Sequence, residues 1–286
     1  LQQGKAHRRP QRSASGNCLE KAGPTEEQEA DSRADETLQS AELVIKSPGI
    51  PRGIKVIQDF ISRGVEVIGE VEYAWRHSNS KFVAITGSNG KTTTTMLVHH
   101  ILKNADLNVA MAGNIGESIA ALMAKDQHPE WVVLEVSSFQ LDDAPTFSPE
   151  VAILLNITED HLDRYDHDIQ KYARSKMQIA ANQQPGHCFI YNEDDPMIQA
   201  MLEAVKVQSV RIPFSIQNNH ASLAACTQDG ELIIRDLDKK TKNINPNNPL
   251  TMTIQELALQ GKHNLYNSMA NLHEKQLINS TRNLLC

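Results

Sequence analysis

The stretch "VAITGSNGKTTTTMLVHHIL", residues 83–102, passes from an apolar strand through a glycine turn into a helix. Gly87 and Gly90 permit positive φ angles and a close backbone approach, so successive N–H groups of the turn can point at phosphate oxygens. The positive end of the following helix strengthens that attraction. The usual phosphate-binding loop has a further glycine five residues before Gly90, where this chain has Ile85. The stretch therefore predicts a phosphate-binding loop of shortened form.

Two side chains at the start of the helix suit the phosphates of a nucleotide. Lys91 supplies a mobile cation for the β- and γ-phosphates, and the hydroxyl of Thr92 is placed to ligate Mg²⁺. An ordinary strand–turn–helix connection would also explain a lone pair of glycines. Because Gly-Lys-Thr follows an apolar strand, we favour nucleotide binding over that simpler explanation.

Strands and helices alternate along most of the chain. Apolar runs predict strands at 82–86, 108–111, 131–136, 151–156, 187–191 and 208–213. Helical patterns occur at 91–104, 116–125, 167–182 and 195–205. An earlier β-α-β unit is predicted from "AELVIKSPGIP" (41–51), a helix near 54–63 and "VEVIGE" (65–70). This alternation indicates an α/β fold with a mainly parallel sheet and helices on both faces.

Two later segments differ from that pattern. In residues 221–236, Asp229-Gly230 separates two apolar runs, which predicts a small antiparallel hairpin. The Asn-rich run 239–249 predicts a surface loop.

Composition and charge exclude several classes of protein. The formal net charge of −7 argues against a general nucleic-acid or anionic-membrane surface. The four cysteines are far apart and form no Cys-x-x-Cys pair, so we interpret them as reduced thiols rather than a zinc site or disulfides. No apolar run approaches the roughly 18–20 residues needed to span a bilayer. We therefore expect a cytoplasmic protein with neither nucleic-acid nor membrane partners.

Three further segments carry candidate site residues. Glu135 in "WVVLEVSSFQL" (131–141) falls at the carboxyl end of a buried strand, where open α/β sheets bind ligands and a carboxylate suits Mg²⁺. His161 in "NITEDHLDRY" (156–165) reaches the same edge, although a lone histidine is more often a surface residue. Lys176, in a helical run, would by default be a solvated lysine.

Taken together, GSNGKT, LEVSSFQL, NITEDHLDRY and YARSK resemble the ATP-dependent Mur ligases of peptidoglycan synthesis, whose shortened loop is Gly-x-x-Gly-Lys-Thr/Ser. Within that family the second and third motifs are most similar to those of members that join D-glutamate to UDP-N-acetylmuramoyl-L-alanine. The resemblance implies an ATP-dependent amide-bond ligase with ATP and Mg²⁺ as cofactors, those two small-molecule substrates and a monomeric state. A folylpolyglutamate synthetase is an alternative, against which SSFQL and DHLDRY argue.

The resemblance also implies roles for individual residues. The residues that would hold ATP are Gly87, Ser88, Asn89, Gly90, Lys91, Thr92 and Thr93 around the phosphates, with Asn264 and Asn267 beside the adenine. Those that would hold magnesium are Thr92, Glu135, His161 and a carbamylated Lys176, and the catalytic set is Lys91, His161 and Lys176. Those that would contact the first substrate are Asn114, Ser137 and Gln140, while Ser47, Pro48 and Gly49 match a turn that closes the uridine-binding domain.

The matching motifs extend over residues 41–270. By resemblance, 41–77 correspond to the end of an N-terminal uridine-binding domain and 78–270 to the central ATPase domain. Residues 1–40 match neither and have a composition typical of disorder, and 271–286 form a tail that also does not match. On this organisation we expect little or no ligation by the chain itself. A nucleotide-binding protein without ligase activity is the alternative from a different class.

Overall fold

A computed structural model describes residues 40–125, 129–235, 244, 245, 247, 249–256 and 261–270. The expectations for residues 1–39 and 271–286, and most of those for 239–249, lie outside the described residues. From Leu43 onward, the described residues form one compact unit.

Strands and helices alternate as the sequence predicts. The strands are β1 (Leu43–Lys46), β2 (Glu66–Gly69), β3 (Lys81–Thr86), β4 (Val109–Gly113), β5 (Trp131–Glu135), β6 (Val151–Leu154), β7 (Cys188–Asn192), β8 (Val210–Ser215), β9 (Ala225–Gln228), β10 (Glu231–Ile234) and β11 (Leu250–Thr253). The helices are α1 (Lys55–Ser62), α2 (Glu70–Arg76), α3 (Lys91–Asn104), α4 (Ile119–Met123), α5 (Ser138–Asp142), α6 (Ile169–Ala181) and α7 (Pro196–Ala204), with 3₁₀ turns at Leu162–Tyr165 and Ile254–Glu256. Residues 262–270 are also helical. Within the described residues, no helix combines the length and apolar character needed to cross a membrane.

One large sheet contains nine of these strands in the order β11-β10-β9-β8-β7-β6-β3-β5-β4. The neighbouring pairs from β4 across to β9 are parallel, and β9, β10 and β11 pair antiparallel. The predicted mainly parallel sheet and the predicted hairpin are therefore confirmed. β1 and β2 form a separate parallel pair.

Both faces of the sheet are buried. In β3, Phe82 and Ala84 pack into one apolar cluster, whereas Val83 and Ile85 pack into the cluster on the other face. Successive side chains of a strand point to opposite faces, so a strand covered on both sides is apolar throughout. This explains why the central strands appear in the sequence as unbroken apolar runs.

Three helices and one strand were not anticipated from the sequence, namely α2, α5, the helix at residues 262–270 and β11. α5 follows β5 directly and is only five residues long, too short for helical periodicity to be visible. α2 begins at Glu70, where the sequence pattern predicted the end of a strand, and its Glu72 side chain is fully buried. β11 lies just beyond the predicted surface loop and pairs with β10. In each case the segment depends on contacts distant in sequence.

Polar contacts attach residues 43–77 to the large sheet. The buried Lys46 ammonium pairs with the buried Asp143 carboxylate. The carboxylate of Glu72 accepts a hydrogen bond from the Phe147 amide at 3.0 Å and one from the Arg76 Nε at 2.7 Å. A buried carboxylate is costly unless it is paired or hydrogen-bonded. The contacts with Asp143 and Phe147 therefore fix where residues 43–77 pack against the rest of the protein.

Candidate functional site

The glycine turn lies at the centre of the carboxyl edge of the sheet. It follows β3, whose neighbours are β5 on one side and β6 on the other. Gly90 is the residue before α3 and has φ +86°, a left-handed conformation in which glycine is favoured. The carboxyl ends of β5 and β6 therefore flank the turn, which is where ligands bind in sheets of this kind.

The segment after β6 holds the turn in place. Ser88 Oγ donates to the Thr158 carbonyl and accepts from the Thr158 amide, both at 2.9 Å. The Asn89 amide donates to Asn156 Oδ1 at 2.9 Å. Sequence reasoning missed both Asn156 and Thr158. The available signal was their position, directly after the strand that neighbours β3.

Lys91 folds back over the turn. Its ammonium donates to the carbonyl oxygens of Gly87 at 2.8 Å and Ser88 at 2.9 Å. These carbonyls hold a mobile cation at the loop, ready to move onto phosphate oxygens. The geometry is compatible with the role expected of this lysine.

Thr92, at the start of α3, and Glu135, at the end of β5, lie in contact. The Thr92 hydroxyl donates to Glu135 Oε2 at 2.9 Å, and Glu135 is only 4% exposed. In the described part of the chain, no Lys, Arg or His nitrogen lies within 4.0 Å of this carboxylate, so its resolved side-chain partner is the Thr92 hydroxyl. Magnesium prefers hard oxygen ligands, with one or two carboxylates beside phosphates and water. These two side chains therefore fit a magnesium ion at the loop.

Lys176 is buried rather than solvated, contrary to its default interpretation from sequence. It is 1% exposed, and its ammonium donates to the Gly87 carbonyl at 2.8 Å and lies 4.6 Å from the Tyr172 ring centre. Burial, with a smaller contribution from the charge of Lys91, lowers the pKa of Lys176 from 10.5 to about 7. Lys176 and Lys91 thus share one carbonyl acceptor beneath the loop.

His161 lies on the exposed side of the site. Its side chain is 63% exposed, its Nε2 is 3.7 Å from Asp160 Oδ1, and its ring centre is 5.6 Å from that of Phe139. Its φ of +48° is uncommon outside glycine and marks a constrained backbone. Among the described residues, no three His, Cys, Asp or Glu side chains are grouped as a metal site. The assignment of His161 to magnesium stays a prediction.

The residues expected to contact the first substrate lie beside Glu135. The Asn114 amide donates to the Glu135 carbonyl at 3.2 Å. Ser137 and Gln140 form a capping box at the start of α5, in which the Ser137 amide donates to Gln140 Oε1 at 2.9 Å. Part of the hydrogen-bonding capacity of Ser137 and Gln140 is therefore used within the protein.

The last described helix also reaches the glycine turn. Asn267 is 4% exposed, and its Oδ1 lies 2.5 Å from where a Cβ on Gly90 would stand. Any side chain at position 90 would therefore collide with Asn267, in addition to the cost of its left-handed backbone. Asn264 lies on the same helix, one turn earlier. Asn267 thus adjoins the glycine turn.

The turn at 47–49 is joined to the site by an arginine that sequence reasoning did not single out. Arg164 donates to the carbonyl oxygens of Pro48 at 3.1 Å and Gly49 at 3.0 Å. Its guanidinium carbon also lies 4.3 Å from the centre of the Phe139 ring. Pro48, Phe139 and Arg164 line part of a cavity of about 520 Å³.

The comparison with protein families matches residues 85–273 to the Mur ligase middle domain. The matched range contains the phosphate loop, the Thr92–Glu135 pair and Lys176. This chain belongs to the Mur ligase family.

Two curated relatives from different bacteria carry the same name. The UDP-N-acetylmuramoylalanine–D-glutamate ligase of Bacteroides fragilis is 44% identical over 236 residues, which are 82% of this chain and 50% of that protein. The ligase of the same name from Porphyromonas gingivalis is 45% identical over 231 residues, or 80% of this chain and 49% of that protein. The chain therefore spans about half the length of the curated relatives that it matches.

Solved structures of Mur ligases share the fold. The UDP-N-acetylmuramate:L-alanyl-gamma-D-glutamyl-meso-diaminopimelate ligase of Neisseria meningitides has a TM-score of 0.54 at 16% identity, covering 88% of this chain and 76% of that one. A UDP-N-acetylmuramoyl-L-alanyl-D-glutamate–2,6-diaminopimelate ligase has a TM-score of 0.55 at 16% identity, covering 85% of this chain and 60% of that one. At such low identity, these likenesses support the α/β fold alone.

Proposed function

We propose that the described part of this chain binds ATP with magnesium and is the nucleotide-binding part of a ligase that joins D-glutamate to UDP-N-acetylmuramoyl-L-alanine. The observation that carries the proposal is the 2.9 Å hydrogen bond between Thr92 and the buried carboxylate of Glu135, at the first turn of the helix that follows the glycine loop. A hydroxyl and a carboxylate at this point would hold a magnesium ion beside the phosphates.

The residues of the loop would act mainly by position and charge. Lys91 would leave the carbonyls of Gly87 and Ser88 and contact the terminal phosphates, and the first turn of α3 would present its amides to them. Thr92 and Glu135 would hold the metal, which when bound offsets the charge of the phosphate oxygens. Phosphoryl transfer depends largely on such positioning and electrostatics.

The proposed reaction has two steps. The γ-phosphoryl group of ATP passes to the free carboxylate of UDP-N-acetylmuramoyl-L-alanine, which gives an acyl phosphate and ADP. The amine of D-glutamate then attacks the acyl carbon, and phosphate leaves as the amide bond forms. The names of the curated relatives, together with the SSFQL and DHLDRY motifs, support this choice of substrates over that of a folylpolyglutamate synthetase.

Lys176 has the chemistry that the family resemblance assigns to it. In carbamylation a neutral amine adds carbon dioxide and releases a proton, and the pKa of about 7 leaves a large share of Lys176 neutral at physiological pH. The product is an anion in place of an ammonium, and it would lie close to Lys91, which would compensate its charge. Short carboxylic acids should then partly restore a Lys176→Ala variant of a ligase carrying this domain, by occupying the anionic position.

A calorimetric titration of this chain with ATP and Mg²⁺ tests the proposal. Lys91→Ala should remove most of the affinity, because this lysine contacts the most highly charged phosphates. Lys103→Ala, an exposed lysine in the last turn of the same helix, is the matched control and should bind as the parent does. Unchanged affinity in a folded Lys91→Ala protein would contradict the assignment.

A product assay separates ligation from nucleotide binding alone. A ligase carrying this domain is incubated with ATP, D-glutamate and UDP-N-acetylmuramoyl-L-alanine, and the products are analysed by mass spectrometry. Nucleotide binding without the amide product would favour the alternative of a binding protein. A panel of other amino-acid acceptors tests the second substrate, since a ligase of another specificity would use one of them instead.

A further inference from the structure

Asn156 forms a two-point contact with one residue of the phosphate loop. Its Oδ1 accepts from the Asn89 amide at 2.9 Å, and its Nδ2 donates to the Asn89 carbonyl at 3.0 Å. Its own carbonyl accepts from the Ser88 amide at 3.0 Å. A side-chain amide is suited to this arrangement because it carries both a donor and an acceptor. A single residue therefore fixes three consecutive peptide units of the loop, 87–88, 88–89 and 89–90.

The segment that carries Asn156 is itself held firmly. Leu155 continues the pairing of β6 with β3, because its amide donates to the Thr86 carbonyl at 3.1 Å. On the other side, the Ile157 amide donates to the carboxylate of Asp195 at 2.8 Å, and Asp195 is a buried residue that caps α7. Through its neighbours Leu155 and Ile157, Asn156 thus connects the loop to β3 of the sheet and to the start of α7.

These contacts determine which backbone amides of the loop are left to donate hydrogen bonds to phosphate oxygens. The amides of Ser88 and Asn89 are engaged by Asn156, and helical hydrogen bonding in α3 begins with the Thr94 amide, which donates to the Gly90 carbonyl at 3.0 Å. The first amides of a helix have no acceptor within the helix. Within residues 88–93, the amides of residues 90–93 are therefore those left to bind phosphate.

We propose that Asn156 is a positioning residue of the nucleotide site, which holds the loop so that the amides of residues 90–93 face the phosphates. This inference rests on the proposed binding of ATP. It assigns a role to a residue outside the glycine motif, and that residue touches the loop rather than the nucleotide. A carboxylate at position 156 would lose the donor to the Asn89 carbonyl and would place a negative charge near the phosphates.

The test compares Asn156→Ala with the parent chain and with Asn182→Ala. Asn182 is a matched control, because its side-chain amide also donates to two backbone carbonyls, those of Pro145 at 2.9 Å and Phe147 at 3.2 Å, away from the loop. Calorimetry with ADP and Mg²⁺ gives both the affinity and the number of binding sites per chain. Amide hydrogen exchange at Asn89, measured without nucleotide, reports the loop directly.

The expected result is an affinity about tenfold weaker in Asn156→Ala, in keeping with the loss of two hydrogen bonds, with an unchanged number of sites and faster exchange at Asn89. Asn182→Ala should bind ADP as the parent does. A merely structural role would instead reduce the number of sites without changing the affinity of the folded fraction. Parental affinity in Asn156→Ala overturns the inference.

A second variant covers the case in which Asn156→Ala does not fold. Asn156→Asp keeps the shape and the acceptor for the Asn89 amide, and it should weaken ATP more than ADP because ATP carries the greater charge. An equal loss for both nucleotides, or none, counts against the inference. If the parent chain binds neither nucleotide, the proposed function itself fails, and this inference falls with it.

Discussion

Replacing Lys176 by methionine tests the burial of an amine beneath the phosphate loop. Methionine keeps much of the volume and flexibility of the side chain but cannot be protonated. In the parent protein the pKa of Lys176 falls from 10.5 to about 7, mainly because burial disfavours the charged form. We therefore expect the two proteins to differ in how their stability depends on pH.

The direction in which the free energy of unfolding changes with pH follows from proton binding. Between about pH 7 and pH 10.5 the unfolded chain holds a proton that the native Lys176 has lost, so the free energy of unfolding of the parent rises with pH across this window. The maximum slope is about 1.4 kcal/mol per pH unit. Relative to the methionine variant, the parent should therefore gain about 2–3 kcal/mol between about pH 6 and pH 9.

Denaturant unfolding at a series of pH values measures this gain, with carbon dioxide excluded so that the amine stays unmodified. Lys171→Met is the matched control, because Lys171 lies on the same helix but is exposed and paired with Asp166. Its stability difference from the parent should stay nearly constant over the same range. Parallel pH profiles for the parent and Lys176→Met would refute the burial argument.

Two further substitutions test the surroundings of the site. Gly113→Ala places a Cβ 2.1 Å from the Glu135 carbonyl oxygen at φ +107°, so it should lower the free energy of unfolding by at least about 2 kcal/mol. Gly53→Ala is the control, because its Cβ meets nothing within 4 Å and should leave the free energy of unfolding unchanged. Equal thermal midpoints for the two variants would contradict this prediction. Arg164→Ala should accelerate exchange of the Ile50 amide, which closes the turn at 47–49 by donating to the Ser47 carbonyl at 3.0 Å. Arg164→Lys should restore protection only in part, because lysine lacks the bidentate geometry of the guanidinium. Unchanged exchange in the alanine variant would contradict the contact.

The sequence predicted the sheet because a parallel strand buried on both faces leaves an unbroken apolar run. All five residues of β5, WVVLE, are buried, and the run ends at Glu135, where the strand reaches the edge of the sheet. The proximity of Glu135 to Thr92 followed from the same rule, since the carboxyl ends of neighbouring parallel strands meet. Both conclusions needed only local patterns and the general geometry of α/β folds.

The contacts of Lys176 and Asn156 required the structure. A signal for Lys176 was present, because Tyr172 and Ala180, four residues before and after it, are both buried and place it on the apolar side of α6. That spacing shows which side of the helix Lys176 occupies, but not that its ammonium reaches the Gly87 carbonyl. Asn156 has no periodic signal, because its partners are backbone groups of a distant loop.

The phosphate loop is enclosed by parts of the chain that are far apart in sequence. Gly90 adjoins Asn267, and Asn89 is bound by Asn156. Structures made by such distant contacts carry a large loop-closure entropy and form late during folding. A ligand that binds only the completed loop stabilises the folded state by mass action. The proposed binding of nucleotide would therefore also lengthen the time for which a newly made chain stays folded and escapes proteolysis.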